Sequence, residues 1–371
     1  MTHAAEITAT PPGPPLVPER ERSHDPVRVT SPAPRDAWET TLASDPNAMV
    51  FHTPKWLDCI CEYGGYEDAS RLYELTGGRR VVLPIVRRRG RRRPLASEAS
   101  FPPTWDPGGI VAPGGIRTGD LAAVFGDLAG RGVVRTSLRP SPFDASTWER
   151  ARPPGAIVVP RLAHVLDLGG GFERVWKESF TGTARTAVRK AERSGLTVER
   201  DTSGKLVPAV YELFERSMDR WARQQHEPLP LARWRRRRQD PIRKFDLIAE
   251  MLGEACRIWL ASHDGEPAAA IIVLQGGWYA SYIRGMMDKE LAGPTRANYL
   301  LHRLAIEEAC DAGCRYYDMG ESGPSESLAQ FKTRFGARPH PYAEYHLERL
   351  PITTLDRHAR GFVKRMIGFR D

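Results

Sequence analysis

The sequence predicts an α/β protein, more fully of the α+β class, with two similar halves that each hold a mixed, mostly antiparallel sheet flanked by helices. Three observations support this class. The chain has 371 residues, more than one hydrophobic core usually organises. Helix-like and strand-like segments follow one another, and Gly-Gly or Asp-Gly pairs separate neighbouring strand candidates. The order of these segments in the first half returns, at greater length, in the second half.

Composition divides the chain into four segments. Residues 1–35 are rich in proline and poor in large apolar residues, which predicts a disordered arm. Residues 36–161 form the first predicted domain, and residues 162–350 form the second. Residues 351–371 predict a basic C-terminal helix.

Cysteine content and hydropathy set the expected class of protein. The five cysteines are odd in number and widely spread, which argues against a disulfide framework, and no Cys/His pairs complete a zinc site. We therefore expect no metal. No segment approaches the roughly 20 apolar residues of a membrane helix, and the N-terminus lacks the apolar core of a signal peptide. We expect a cytoplasmic protein without a membrane span.

The positive charge of the chain is concentrated in two runs. The net charge is +8, and residues 79–93 hold eight arginines without an acid. Residues 233–244 hold seven basic residues and one acid. Arginine forks match phosphate geometry, so both runs suit a polyanion. Solvated basic turns are the plain alternative.

Three motifs occur in order along the chain. Phe51-His-Thr-Pro-x-Trp56 begins the first predicted domain, and Arg189-Lys-Ala-x-x-x-Gly195-Leu ends an early helix of the second. The third is Asp318-x-Gly-x-Ser322, followed by Leu328-x-x-Phe-Lys332-x-x-Phe-Gly336. Together they resemble FemAB-like proteins over roughly residues 45–348. That group includes aminoacyl-tRNA-dependent peptidoglycan-bridge enzymes and tRNA-dependent ligases of antibiotic pathways.

The resemblance implies tandem GNAT-like domains and an acyl-transfer site in the second one. It assigns Lys332 to the oxygen that becomes negative when an amine adds to an activated carboxyl group. Amide formation also needs a group that takes a proton from the amine. Asp318 is our first candidate for that role and Glu321 the second, although Glu321 also fits a helix cap.

The segment at residues 291–298 bears on the identity of the acyl donor. GNAT enzymes that use acyl-CoA hold its pyrophosphate on backbone N–H groups of a glycine-rich loop at a helix start. Here Gly293 precedes Pro294, which has no N–H, so the segment favours a tRNA donor and predicts no bound cofactor. The candidate residues for donor or tRNA binding are Arg296, Asn298, Arg235, Arg236, Arg237, Arg238 and Trp234. The candidate residues for substrate binding are Phe331, Ser322, Arg284, Arg189, Trp56 and Tyr282.

The sequence thus predicts an aminoacyltransferase that moves an aminoacyl group from aminoacyl-tRNA to the amine of a small molecule or peptide. Two alternatives stay open. One is an acyl-CoA-dependent N-acyltransferase of the same fold, and the other is a non-catalytic protein that binds tRNA or another polyanion.

Overall fold

The computed structural model describes residues 26–90, 95–105, 108–323 and 325–366. The strands are β1 Pro26–Thr30, β2 Tyr66–Asp68, β3 Arg71–Leu75, β4 Arg80–Leu83, β5 Val86–Arg88, β6 Ser97–Ala99, β7 Arg135–Leu138, β8 Ile157–Asp167, β9 Leu196–Asp201, β10 Cys256–His263, β11 Glu266–Gly276, β12 Tyr279–Met287, β13 Tyr316–Glu321 and β14 Arg338–Glu348. The helices are α1 Arg35–Ala43, α2 Pro54–Tyr63, α3 Thr118–Gly130, α4 Ala145–Ala151, α5 Gly171–Arg174, α6 Gly182–Glu192, α7 Val207–Gln224, α8 Leu229–Gln239, α9 Ile242–Leu252, α10 Lys289–Thr295, α11 Ala297–Asp311, α12 Glu326–Arg334 and α13 Ile352–Met366.

One long sheet runs through both halves. Its eleven strands have the order β2-β5-β6-β7-β14-β8-β13-β12-β11-β10-β9, and β1-β3-β4 form a separate small sheet. Strand β14 lies between β7 and β8 and pairs antiparallel with both, so the last strand of the chain joins the two halves. The predicted boundary between residues 161 and 162 falls inside β8. The mixed, mostly antiparallel sheet with flanking helices confirms the predicted fold class.

The two halves also share a core. Trp38 and Trp56 of the first half lie in the same buried cluster as Phe214 and Phe245 of the second. Burial of large aromatic side chains stabilises a fold by removing apolar area from water. The first half is therefore packed against the second through apolar side chains as well as through the sheet.

The ends of the chain differ in part from the expectation. The predicted arm included residues 26–35, but Pro26–Thr30 form a strand paired with β3, because backbone groups beside a sheet edge gain ladder hydrogen bonds. The remainder of that arm, residues 1–25, lies outside the described residues. Helix α13 occupies the predicted C-terminal segment. Within the described ranges, no helix combines the length and the apolar character needed to cross a membrane.

Two other segments depart from the sequence-based expectation. The sequence predicts one helix over residues 172–195, but the structure begins α6 anew at Gly182: Thr181 caps α6, and the Arg185 guanidinium binds the carbonyls of Trp176, Lys177 and Phe180 before it. The sequence also predicts an arginine-rich connector between the helices that end at residue 224 and begin at residue 244, and most of that connector is helix α8.

Candidate active site

The site lies where β13 leaves its neighbour β12. The parallel ladder between them ends at the pair Ser281 and Asp318, and β13 then bulges against β8. Asp318 Oδ1 accepts the N–H of Gly320 at 2.8 Å, and Gly320 has φ of +70°, which glycine adopts without strain. The Asp-x-Gly segment thus forms a turn that frees the carbonyls after Asp318 from the sheet ladder.

Lys332 of α12 reaches this turn. Its Nζ donates to the carbonyl oxygens of Gly320 at 2.9 Å and Glu321 at 2.7 Å, and the residue is 1% exposed. Burial lowers the pKa of Lys332 to about 8, although the charges of Asp318 and Glu321 oppose this shift. The ammonium therefore points into the protein at the end of β13. The Lys332 ammonium has three N–H donors, and the carbonyls of Gly320 and Glu321 accept two of them.

The remainder of the lysine motif positions α12. Ser325 Oγ accepts the N–H of Leu328 at 3.3 Å and caps the helix start. Phe335 is fully buried at the helix end. Gly336 follows with φ of +87°, and a Cβ there would lie 2.6 Å from the carbonyl oxygen of Ser179. Glycine at 336 thus allows the end of α12 to rest directly on the turn before α6.

We expect Gly336→Ala to lower the free energy of unfolding by about 2 kcal/mol or more, from overpacking and backbone strain together. Gly293→Ala is the matched control, because position 293 has open space and no positive φ. Denaturant titration measures both. Equal stability of the two variants would contradict the close contact at Ser179.

Neutral aromatic groups pack beside α12. The rings of Phe331 and Phe335 both contact the ring of His302, with centroids 5.4 Å apart in each case. His302 Nδ1 lies 3.2 Å from Tyr317 Oη. Burial, followed by the charge of Lys332, lowers the pKa of His302 to about 3, so the ring is neutral. Burial also raises the pKa of Tyr282, whose ring is 4.7 Å from His302, to about 12.

Glu321 is held by two side chains. Tyr342 Oη donates to Glu321 Oε1 at 2.5 Å, and Arg161 Nη1 donates to Oε2 at 3.3 Å. Burial and the Glu321 charge raise the pKa of Tyr342. Ser325 caps α12, so the structure does not use Glu321 as the helix cap that the sequence allowed. The Glu321 carboxylate is thus fixed between β13, β8 and β14.

Ser322 and His164 form a buried pair beside the lysine. Ser322 Oγ lies 3.2 Å from His164 Nδ1, and burial followed by the Lys332 charge lowers the pKa of His164. Sequence reasoning missed His164, Arg161 and Tyr342. For Arg161 and His164 the signal was their place as the two polar residues inside the otherwise apolar run of residues 156–166.

A ring of the first half packs against β12 and β13. The ring of Phe143 lies 4.6 Å from that of Tyr316 and 5.4 Å from that of Tyr279. Its neighbour Asp144 has its pKa raised to about 6, mainly by burial and then by the charge of Asp45. A carboxyl group that titrates near neutrality thus stands on the side of the first half.

Three predicted substrate-binding residues have other surroundings. Trp56 lies in the hydrophobic core with 1% exposure, since Phe51 and Trp105 enclose its ring. Arg284 donates to the buried carboxylate of Asp240 at 3.2 Å. Arg189 is exposed on α6. The structure does not bring these three together with Lys332.

The predicted donor loop is a helix over most of its length. Helix α10 runs to Thr295, and Arg296, with φ of +60°, connects it to α11. Asn298 Nδ2 donates to the sulfur of Met287, while Arg296 is exposed. The loop expectation for residues 291–298 is therefore corrected, because the chain up to Thr295 has the helical hydrogen bonds that a phosphate loop would leave open.

The arginines of α8 divide into a partly buried group and an exposed group. Arg235 binds the buried Glu227 at 2.8 Å, and burial with the charge of Arg235 lowers the pKa of Arg236. Trp234 is 60% exposed, and the guanidinium carbon of Arg238 lies 5.6 Å from its ring centroid. Arg237 is exposed and contacts an acid at 3.4 Å. The exposed donor candidates of α8 are thus Trp234, Arg237 and Arg238, which we call the α8 surface.

Comparison with known proteins finds similar folds. Residues 178–333 match the family model described as an acetyltransferase (GNAT) domain, which includes Asp318 and Lys332. The crystal structure of FemX superposes with a TM-score of 0.62 at 13% identity, covering 88% of this chain and 99% of FemX. The chain has a FemAB-like fold, and its second half is similar to a GNAT domain. The resemblance read from the sequence is confirmed at this level.

Two further structures are similar to this FemAB-like chain. A conserved protein of unknown function from Bacteroides thetaiotaomicron has a TM-score of 0.51 at 8% identity, covering 85% of this chain and 99% of its own. A tandem GNAT protein from the clavulanic acid biosynthesis pathway has a TM-score of 0.49 at 15% identity, with 87% and 99% covered. A search of curated protein sequences finds no match. Across the described ranges, no three His, Cys, Asp or Glu residues are grouped to hold a metal.

Proposed function

We propose that this FemAB-like protein transfers an aminoacyl group from aminoacyl-tRNA to an amine of a small molecule or peptide. The observation that carries the proposal is the ammonium of Lys332, which is buried and fixed by two carbonyls at the end of β13. A preorganised cation in a site of low dielectric constant stabilises a developing negative oxygen more than water does.

The proposed reaction is aminolysis of the aminoacyl ester. The neutral amine nitrogen attacks the ester carbonyl carbon, and a C–N bond forms. The carbonyl oxygen becomes negative and receives the remaining N–H donor of Lys332. When the intermediate collapses, the ester C–O bond breaks and the ribose hydroxyl leaves. The proton lost by the amine reaches that leaving oxygen.

Asp318 is the residue we assign to the amine. It is 8% exposed, it lies at the last pair of the β12–β13 ladder, and its charge acts on Lys332. A carboxylate there attracts the ammonium form of an acceptor and takes its proton. Glu321 is the weaker candidate, because Tyr342 and Arg161 already occupy both of its oxygens.

Two features favour tRNA over acyl-CoA as the donor. Helix α10 and Pro294 leave no glycine-rich loop ahead of α11 for a pyrophosphate. The α8 surface joins two exposed arginines to an exposed tryptophan, a combination that suits phosphates and unpaired bases. The acyl-CoA alternative is favoured by the GNAT family match alone.

Turnover should fall as pH rises through about 8, because Lys332 is cationic below its pKa of about 8 and neutral above it. The measurement is the single-turnover rate between pH 6.5 and 9.5, corrected for spontaneous ester hydrolysis. Lys332→Arg keeps a charged group at every pH and should lose this alkaline limb. A wild-type rate that rises steadily through the whole range would contradict the assignment.

Equilibrium binding measurements distinguish an aminoacyl-tRNA donor from an acyl-CoA donor. We expect charged tRNA to bind at low salt and to dissociate as salt rises, while acetyl-CoA leaves the melting temperature unchanged. A melting temperature that increases with acetyl-CoA, together with no tRNA binding at low salt, would replace this proposal with a CoA-dependent N-acyltransferase. Binding of tRNA without any amide formed would leave a non-catalytic binding protein.

A further inference from the structure

The C-terminal helix α13 carries an uncovered apolar stripe. Leu355 is 62% exposed, Phe362 is 64% exposed and Met366 is 72% exposed. At about 100° per residue, Phe362 and Met366 lie roughly 20° to either side of Leu355, and the stripe extends about 16 Å. Ordinary protein surfaces expose large apolar side chains singly, whereas these three lie along one line of the helix.

The remainder of this helix is basic. Its sequence contains Arg357, Arg360, Lys364 and Arg365 against Asp356, a net charge of +3 from four bases and one acid. Arg357 is exposed and lies about 200° around the helix from Leu355. The whole chain adds to this field with a net charge of +8. Positive charge opposite an apolar stripe is complementary to an anionic surface with an apolar interior.

The first turn of α13 is fixed to the body of the protein. The N–H of Thr353 donates to both carboxylate oxygens of Glu348, the last residue of β14, at 3.0 and 3.1 Å. Asp356 lies 3.5 Å from Arg135 of β7. The helix therefore leaves the sheet in a set direction while its stripe stays exposed.

We propose that α13 lies in the headgroup region of a bilayer that contains anionic phospholipid. Leu355, Phe362 and Met366 enter the boundary of the acyl chains, and the exposed Arg357 contacts lipid phosphate. Each basic residue near such a surface contributes on the order of 1 kcal/mol of attraction. A second copy of the chain fits the stripe less well, because pairing two such helices brings together two segments whose sequences each carry a net charge of +3. This inference goes beyond acyl transfer and does not depend on it.

The test is co-sedimentation of the full-length protein with vesicles. We expect binding to vesicles of phosphatidylglycerol and phosphatidylcholine that is at least tenfold tighter than binding to phosphatidylcholine alone. The triple variant Leu355→Ser, Phe362→Ser, Met366→Ser should lose at least tenfold of that affinity and keep the wild-type melting temperature. Ile242→Ser, at a 39% exposed position on α9, is the matched control and should bind as the wild type does.

Three results would overturn the proposal. The first is wild-type protein that stays in the supernatant with anionic vesicles. The second is equal binding of the triple variant and the wild type. The third is a dimer in sedimentation velocity that the triple variant abolishes, without any vesicle binding, since the stripe would then belong to a second copy.

Discussion

Lys332→Ala should reduce amide formation by about 10²- to 10³-fold, the usual loss when one preorganised oxyanion donor is removed. The affinity for the tRNA donor should stay within about twofold, because the ammonium meets the reacting oxygen and not the body of the tRNA. Single-turnover transfer measures the first quantity, and equilibrium titration with charged tRNA measures the second.

Two controls separate this effect from a structural one. Lys332 is buried against the carbonyls of Gly320 and Glu321, so its removal also costs stability, which thermal melting measures. Lys332→Arg keeps the charge and should retain more activity than Lys332→Ala. Lys190→Ala removes an exposed lysine of α6 and should change neither the transfer rate nor the melting temperature. If a folded Lys332→Ala protein keeps the full turnover rate, Lys332 takes no part in the chemical step.

Changing the α8 surface should weaken donor binding and leave the chemical step intact. For the variant Trp234→Ala, Arg237→Glu, Arg238→Glu, we expect at least about a tenfold loss of tRNA affinity and a shallower salt dependence, because phosphate contacts and base stacking are lost together. At saturating donor, the single-turnover rate should equal the wild-type rate. Filter binding across a salt series measures the slope.

The matched control for charge is Arg150→Glu with Arg152→Glu. Both positions are exposed on or beside α4 of the first half, and the change in charge equals that of the two arginine replacements on α8. This control should bind tRNA nearly as the wild type does. If both variants lose affinity equally, the attraction comes from net charge and not from the α8 surface.

The sequence pointed to Lys332 through its motif, and the role assigned to that lysine stays a prediction. The structure buries Lys332 against the Asp-x-Gly turn. Local motifs also mark helix starts: Thr53, within the motif of residues 51–56, accepts the N–H of Trp56 and caps α2, because such a contact spans only three residues.

The partners of Glu321 and Ser322 did not follow from the sequence. Arg161 and His164 lie on β8, which pairs with β13, and Tyr342 lies on β14, which pairs with the other edge of β8. Strand order of this kind depends on contacts between distant residues, which no local pattern specifies.

The arginine runs show a second limit of sequence reasoning. Arg79 belongs to the first run, yet its guanidinium binds the buried carboxylate of Asp120 and the carbonyls of Pro113 and Gly115. Arg235 of the second run is paired in the same manner with Glu227. Residues 91–93 of the first run lie outside the described residues. The number of arginines in a run therefore includes those bound inside the protein as well as those available to a polyanion.

The most direct test of the central claim is transfer from a labelled aminoacyl-tRNA pool to a mixture of primary amines, read by mass spectrometry of the products. The account predicts a new aminoacyl amide and an equal amount of uncharged tRNA, both strongly reduced with Lys332→Ala. Formation of an acyl amide from acyl-CoA, with the aminoacyl-tRNA pool left intact, would contradict it.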